Sequence, residues 1–492
     1  MKINRRQLLN LTLFATTAII IKNLQQNSNQ DTLWANELKP QIYKSKNGLL
    51  EVELIAQETP VNIDGKTAYL LTYNGQIPAP RLEAIAGDKV KIKFTNKLAQ
   101  PTNIHYHGLH ISPTGNADNA FLEIQPNQTF NYEFTIPDNH PSMTAWYHPH
   151  LHGYTAQQLS GGLAGLFIIK GELDDIPEIN SAKEEFIVLQ DFPLDNNGRL
   201  TDSRMMSLMM GREGDVITVN GEIKPQISLN KGEWLRLRIL NASTSRFYNL
   251  SLDDNPFYLI ATDGGAIASP QEMTRLLLTP GQRAEIMIKG ENKQSSLKLI
   301  NLPYNRGGMG MMGNRMMGGG MMGRRNNNSS QILATINLNQ SNQNNQSVSL
   351  PNQLNTITAL PSPNQVRSFT LNHGMANGMA FLINGKSYNH QRIDTEVKLN
   401  TVEEWELINT GIMDHPFHIH VNSFQVISRN DIPENLLAWR DTVLVKRGER
   451  VKIRIRFDDF TGKTVYHCHI LDHEDLGMMG NLQINSVGVN SE

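Results

Sequence analysis

His467-Cys468-His469-Ile470-Leu471-Asp472-His473-Glu474-Asp475-Leu476-Gly477-Met478 sets the only cysteine of the chain between two histidines, with a third histidine five residues on and a methionine ten on. One thiolate, several imidazoles and one thioether within a dozen residues make up the ligand set of a blue-copper electron-transfer centre. On an extended strand His467 and His469 point to the face opposite Cys468. One short segment can therefore serve two metal sites at once.

The remaining histidines decide whether that grouping is chance. Ten of the fifteen fall in four compact clusters: His105-Tyr106-His107, His148-Pro149-His150, His415-Pro416-Phe417-His418-Ile419-His420, and the segment already quoted. None lies between His152 and His373. A lone histidine is more often a satisfied core or surface residue than a ligand, but four such clusters together with the only cysteine are not independent accidents.

In these four motifs, their order and their spacing, the chain resembles the multicopper oxidases over nearly its whole length beyond the leader. Within that family it is most similar to the three-domain bacterial laccase and cuprous oxidase group, including copper efflux oxidases. The resemblance implies an all-β fold of three cupredoxin-like Greek-key β-sandwich domains holding four coppers per chain, one type 1, one type 2 and two type 3. It makes Cys468, His415 and His473 the type 1 ligands, with Met478 as the weak axial one. It makes His105 and His418 the type 2 ligands, and His107, His148, His150, His420, His467 and His469 those of the type 3 pair. Two positions depart from the family pattern: Tyr106 stands where tryptophan is common, and Val421 where glycine often follows the third cluster. Neither departure removes a ligand.

The layout also has a chemical reason. Reducing dioxygen to water takes four electrons, and single deliveries release superoxide or peroxide, so a group of metals must hold charge until dioxygen can be cleaved. Imidazole suits copper in such a group, while a soft thiolate with a long thioether tunes a relay site. Cys468 is covalently continuous with His467 and His469, which gives electrons a short bonded path. Each turnover also consumes four protons. Glu474 and Asp118 match acidic positions that the family uses near the trinuclear centre, and are the candidate proton donors.

Along the chain the pattern is strand, turn, strand. Lys89-Val90-Lys91-Ile92-Lys93-Phe94, Trp234-Leu235-Arg236-Leu237-Arg238-Ile239 and Arg450-Val451-Lys452-Ile453-Arg454-Ile455-Arg456-Phe457 alternate apolar and charged residues with period two, predicting half-buried strands. An internal repeat points to three related sandwiches. Gly87-Asp88, Gly232-Glu233 and Val402-Glu403-Glu404-Trp405 mark the same edge in three copies, and Tyr147-His148-Pro149-His150 parallels Tyr466-His467-Cys468-His469. The middle copy, around Phe247-Tyr248-Asn249-Leu250, carries no histidine. Copper is thus expected between the first and third domains, with the middle domain a spacer. The expected division is residues 1–38 leader, 39–175 first domain, 176–355 second domain with an insert at 306–325, and 356–492 third domain.

That insert, Arg306 to Arg325, is a Gly/Met run holding Met309, Met311, Met312, Met316, Met317, Met321 and Met322. Glycine denies it regular structure, and without aromatic residues it forms no core. Thioethers are soft and favour Cu(I), and the family associates such inserts with cuprous oxidases. Met413, two residues before His415, matches a substrate-side methionine in those enzymes. Met205, Met206, Met209 and Met210 read first as core or interface packing.

The expected activity is oxidation of Cu(I), and of phenols or other one-electron donors, coupled to reduction of dioxygen to water in copper tolerance. Three rivals stand beside it: a general laccase with the methionine run as a lid, a copper-binding envelope protein without turnover, and copper nitrite reductase. The second conflicts with the retention of every ligand. The third needs two sandwiches and a single imidazole-bound second site.

Composition agrees. At 492 residues the prior is about three domains, each large enough for its own core. A net charge of −2 with mixed signs leaves no nucleic-acid footprint, and one cysteine excludes an internal disulfide. Asn4-Arg5-Arg6-Gln7-Leu8-Leu9 and the apolar run to Ile21 resemble a twin-arginine signal, and the run is too short to span a membrane. The cut is placed only between Ser28 and Leu38. The expectation is a monomer exported by the twin-arginine machinery, folded before transport, and periplasmic.

Overall fold

The computed structural model describes residues 41–201, 205–290, 294–307, 329–340, 349–374 and 380–486. The leader and Met309 to Met322 lie outside the described residues.

Strands form where side chains alternate in burial. Lys89–Asn96 buries Val90, Ile92 and Phe94 and leaves Lys89 and Lys93 in solvent, while Arg450–Phe457 buries Val451, Ile453, Ile455 and Phe457. Lys89–Asn96 corresponds to Thr401–Asn409 of the third sandwich, and Arg450–Phe457 to Thr129–Thr135 of the first. Leu49–Ile63 runs parallel to Lys89–Asn96, which runs antiparallel to Thr129–Thr135. Lys183–Phe192, Trp234–Asn241 and Arg283–Lys289 repeat this arrangement, and so do Gln365–Gly374, Thr401–Asn409 and Arg450–Phe457. The internal repeat of the sequence is therefore a repeat of strand pairing.

Six sheets result, in pairs of four and five strands, six and five, and seven and five, giving three β-sandwiches in chain order. Each has its own apolar core, around Phe94 and Phe167, around Leu237 and Ile286, and around Trp405 and Phe417. A further cluster joins them: Trp146, Leu159 and Ile168 of the first sandwich meet Val188 and Leu240 of the second and Leu471 of the third. Helices are short; the longest among the described residues, Thr155–Gly161, has seven residues.

One strand departs from its pattern. Trp234–Asn241, predicted half-buried, is buried along its whole length. Its charged face is covered by the first sandwich, where Arg236 and Arg238 converge on Glu285 of the facing strand. Glu285 Oε2 accepts from Arg236 Nε at 2.9 Å, and Oε1 from Arg238 Nη1 and Thr144 Oγ1, each at 2.7 Å. Asp174 and Glu184 complete the set of acceptors. Period two reports which residues share a face, not what covers that face.

This network makes a pH prediction. Burial alone raises the Glu285 carboxyl, but Arg236 and Arg238 outweigh it and hold the group down at about 2 instead of 4.5. A depressed folded value contributes stability that is complete above the unfolded value and lost as pH falls towards the folded one. The melting-temperature advantage of the wild type over Glu285→Gln is thus expected to be greatest above pH 4.5 and to shrink down to pH 2. A constant difference across that window refutes it.

Candidate metal centre

The strand Gly462–Cys468 lies between Met479–Asn485 and His415–Ile419 in the third sandwich. Register sets Phe417 opposite Cys468 and His418 opposite His467. As the alternation requires, Cys468 and its flanking histidines face different neighbours. The Cys468 Sγ is 3.5 Å from His415 Nδ1 and 3.8 Å from His473 Nδ1, and those two nitrogens are 3.3 Å apart. All three residues are buried, as is Met478, whose carbonyl accepts from Cys468 N at 3.0 Å. His473 donates from Nε2 to the Met209 carbonyl at 3.1 Å, which leaves Nδ1 for the site. Phe381 stacks on its ring at 3.7 Å.

On the other face, His467 and His469 join His105, His107, His148, His150, His418 and His420 in one buried cluster. The strand His105–His107 supplies one side, with His105 opposite His148 and His107 opposite Trp146 in register. The Nε2 atoms of His150, His420 and His467 form a triangle with edges of 3.0, 3.1 and 3.2 Å. Nitrogens held about 2 Å from one ion in tetrahedral directions come to about 3.3 Å of each other. The triangle therefore has the size of a metal tripod.

Hydrogen bonds fix which nitrogen each ring presents. The outward ring nitrogens bond as follows: His105 Nδ1 to Asp118 at 2.9 Å, His107 Nε2 to Asp441 at 3.0 Å, and His148 Nδ1 to Pro149 O at 2.8 Å. His418 Nδ1 reaches Asp441 O at 2.8 Å and His467 Nδ1 reaches Cys468 O at 3.0 Å. What remains is His105 Nε2, His107 Nδ1, His148 Nε2, His418 Nε2, His420 Nδ1 and both nitrogens of His469, seven buried atoms with no hydrogen-bond partner among the described residues. Each such atom costs about 1–3 kcal/mol when unsatisfied. Burial also holds the imidazoles below their ordinary range, His150 and His415 to about 3 and His418 to about 4, so the rings are neutral donors. Neutral nitrogens without partners, gathered beside a separate cysteine and imidazole set, fit copper ions.

The candidate acids border the cluster. Asp118 accepts from Tyr106 N at 2.9 Å and touches His105, and burial pushes its carboxyl up to about 8. Glu474 is fully buried, with Oε1 accepting from Thr155 Oγ1 at 3.1 Å and lying 3.7 Å from His150 Nε2. Its Oε2 is 3.2 Å from His467 Nδ1 but has no hydrogen-bond partner, because that N–H is directed at Cys468 O. Met413 is buried beside the other site, bridged by backbone to Gly307 at the root of the methionine run.

Three site features were not read from the sequence. The middle sandwich is more than a spacer: besides the Met209 carbonyl, it presses Gly281 against His469 and sends Arg283 into the pair with Asp441. Gly281 has φ +82°, and a Cβ there would lie 2.7 Å from His469 Nε2. Arg283 is buried and binds Asp441 with Nη1 at 2.8 Å and Nη2 at 2.7 Å. Second, Asp441 itself stands in no histidine cluster, so no motif marked it. Third, Val421, noted where glycine is frequent, adopts φ +68°, unusual for a β-branched residue. His110 of the first sandwich bonds its carbonyl at 2.9 Å.

Comparison with known proteins matches this architecture. Family models described as multicopper oxidase match residues 55–174, 183–297 and 355–487. The chain is 31% identical over 491 residues to the multicopper oxidase mco of Staphylococcus epidermidis, covering 95% of this chain and 97% of that protein. It is 28% identical to the cell division protein FtsP of Glaesserella parasuis, covering 93% of each. Among solved structures, a multicopper oxidase from Campylobacter jejuni, described as a metallo-oxidase, superposes with a TM-score of 0.77 at 33% identity, covering 92% of this chain and 97% of that one. Matches across all three sandwiches and nearly the full length, on a fold that gathers the candidate histidines and Cys468, place this chain in the multicopper oxidase family.

Proposed function

We propose that this protein is a cuprous oxidase, coupling one-electron oxidation of Cu(I), and of phenolic donors, to four-electron reduction of dioxygen in copper tolerance. It would hold a type 1 copper at His415, Cys468, His473 and Met478, a type 2 copper at His105 and His418, and two type 3 coppers among the other six histidines. Bound copper supplies the one-electron redox chemistry and the store of electrons. The observation that carries an oxidase reading is the complete donor set, with Cys468 joined by single peptide links to His467 and His469 on the opposite face. A scaffold without turnover, the alternative the FtsP likeness brings, has no need of seven unpartnered buried imidazole nitrogens.

The donor assignment rests on the methionines. Met413 is buried two residues before His415, and Arg306 O accepts from Asp414 N at 2.8 Å, so the root of the methionine run is fastened beside the type 1 ligands. Gly307 at the start of the run and Ser329, four residues past its end, line a cleft of about 550 Å³ with Met210 and Tyr304. The seven methionines that the sequence supplies between those two residues are soft donors, which suit Cu(I) better than an organic donor. The likeness to a metallo-oxidase points the same way.

Deleting residues 308–325, which keeps Arg306 and its bonds, tests the donor. Oxygen uptake with Cu(I) is expected to fall at least about tenfold in kcat/KM, equivalent to about 1.4 kcal/mol of lost transition-state binding, with phenol oxidation nearly unchanged. Unchanged Cu(I) oxidation with altered phenol oxidation makes the run a lid and the enzyme a laccase.

A further inference from the structure

The middle sandwich carries no histidine, yet one of its side chains reaches both histidine-bearing domains. Arg283 uses all five of its donors. Its Nε bonds Thr144 O of the first sandwich at 2.8 Å, Nη1 and Nη2 clasp the Asp441 carboxylate of the third, and the remaining donors go to Gly281 O at 3.3 Å and Asp263 O at 2.9 Å. Asp441 in turn is shared between two cluster histidines from opposite domains. Its Oδ1 accepts from His107 Nε2 at 3.0 Å, its carbonyl from His418 Nδ1 at 2.8 Å, and Thr442 Oγ1 closes the group by bonding Oδ1 at 2.9 Å. Passage of the guanidinium requires Gly108, next to His107, where a Cβ would collide with Arg283 Nη2.

We propose that Arg283 and Asp441 are a positioning pair through which the middle sandwich orients His107 and His418, so that ligands on separate domains aim their free nitrogens at one point. The proposal rests on the reading of those histidines as copper ligands. The physical argument is one of freedom. His107 rides on the first sandwich and His418 on the third, and a ring held only by its own strand rotates about its side-chain bonds. A shared carboxylate removes that freedom for His107, and a planar, bidentate guanidinium fixes the carboxylate itself. Lysine, a point charge with three donors, cannot reproduce the fork. The mutual stacking of His107 on His418 at 3.8 Å shows how closely the two rings are brought together.

The test compares Asp441→Asn and Arg283→Lys with the wild type and with Arg238→Met. Arg238 is an equally buried arginine of the same domain interface that touches no cluster histidine. Copper-loaded full-length protein is dialysed against a graded copper chelator. Copper per chain and the blue absorption of the Cys468 site are read separately, with melting temperature of the metal-free chain as a third readout. For both positioning variants the expected result is a fall of about 10–100-fold in copper affinity at the histidine cluster, with blue absorption per chain unchanged. Arg238→Met is expected to melt lower yet keep its cluster copper. Cluster copper retained in both positioning variants, copper lost equally from both sites, or Arg238→Met shedding it alike, would overturn the proposal and leave the pair a simple staple. If the wild type itself takes up no copper, the underlying reading of the histidines falls instead.

Discussion

Cys468→Ser is expected to abolish the blue absorption and to lower oxygen uptake with Cu(I) and with phenols by at least about a hundredfold, equivalent to about 2.7 kcal/mol in barrier. Sulfur is the only soft anionic donor within reach of His415 and His473, at 3.5 and 3.8 Å from their Nδ1 atoms. A serine hydroxyl is harder and does not ionise near neutrality, so it neither makes the charge-transfer bond nor conducts electrons towards the flanking histidines. The histidine cluster keeps all its residues in this variant, because His467 and His469 lie on the opposite face of the strand. Copper content should therefore fall by the relay copper alone. The fold should tolerate the change, since serine is nearly the same size in that core and the thiol's other hydrogen bond is a single Ile470 N–H at 3.4 Å. Measuring copper, absorption and oxygen uptake on one preparation settles it. Blue colour, or turnover above about one hundredth of wild type, surviving the substitution would refute the electron path through Cys468.

Much of this site was legible because the placement of the candidate ligands obeys strand geometry. Alternation alone separates Cys468 from His467 and His469, and the structure sends the thiol to His415 and His473 and the two imidazoles to the cluster. The same rule recovered the three sandwiches, since repeated edges in sequence became the same parallel and antiparallel pairings three times. The limits of the rule are equally physical. Arg236 and Arg238 alternate with leucine just as Lys91 and Lys93 alternate with apolar residues, yet one charged face lies against a neighbouring sandwich and the other faces solvent. No local pattern tells them apart, because the covering surface comes from residues such as Thr144, about ninety positions away. Arg283 and Asp441, 158 positions apart, and the Met209 carbonyl, 264 positions from His473, belong to the same class. Backbone acceptors and isolated acids carry no motif. What sequence shows is the candidate ligand atoms; what it conceals is the set of groups that turn those atoms to face each other.

Glu474→Gln carries the other large effect, and isolates proton supply from electron supply. Burial, with Asp475 adding to it, raises the Glu474 carboxyl well above its ordinary value, which favours its protonated form. That proton is held at the edge of the cluster, 3.2 Å from His467 Nδ1 and 3.7 Å from His150 Nε2. Glutamine has nearly the same shape and can keep the Thr155 hydroxyl as a partner, but it has no acidic proton to give and none to regain. Copper content, blue absorption and the rate at which Cu(I) reduces the relay site are thus expected to match wild type. Reoxidation of the fully reduced enzyme by dioxygen is expected to slow by about a hundredfold, the lower range for loss of a general acid. The pH profile gives a second, independent reading. A raised folded value means the wild type keeps its proton donor to higher pH than an ordinary carboxyl would, so its reoxidation rate should decline as pH climbs while the variant's stays flat. A variant that reoxidises at the wild-type rate, with the alkaline decline intact, would transfer the proton role to Asp118, whose carboxyl at about 8 lies across the cluster against His105.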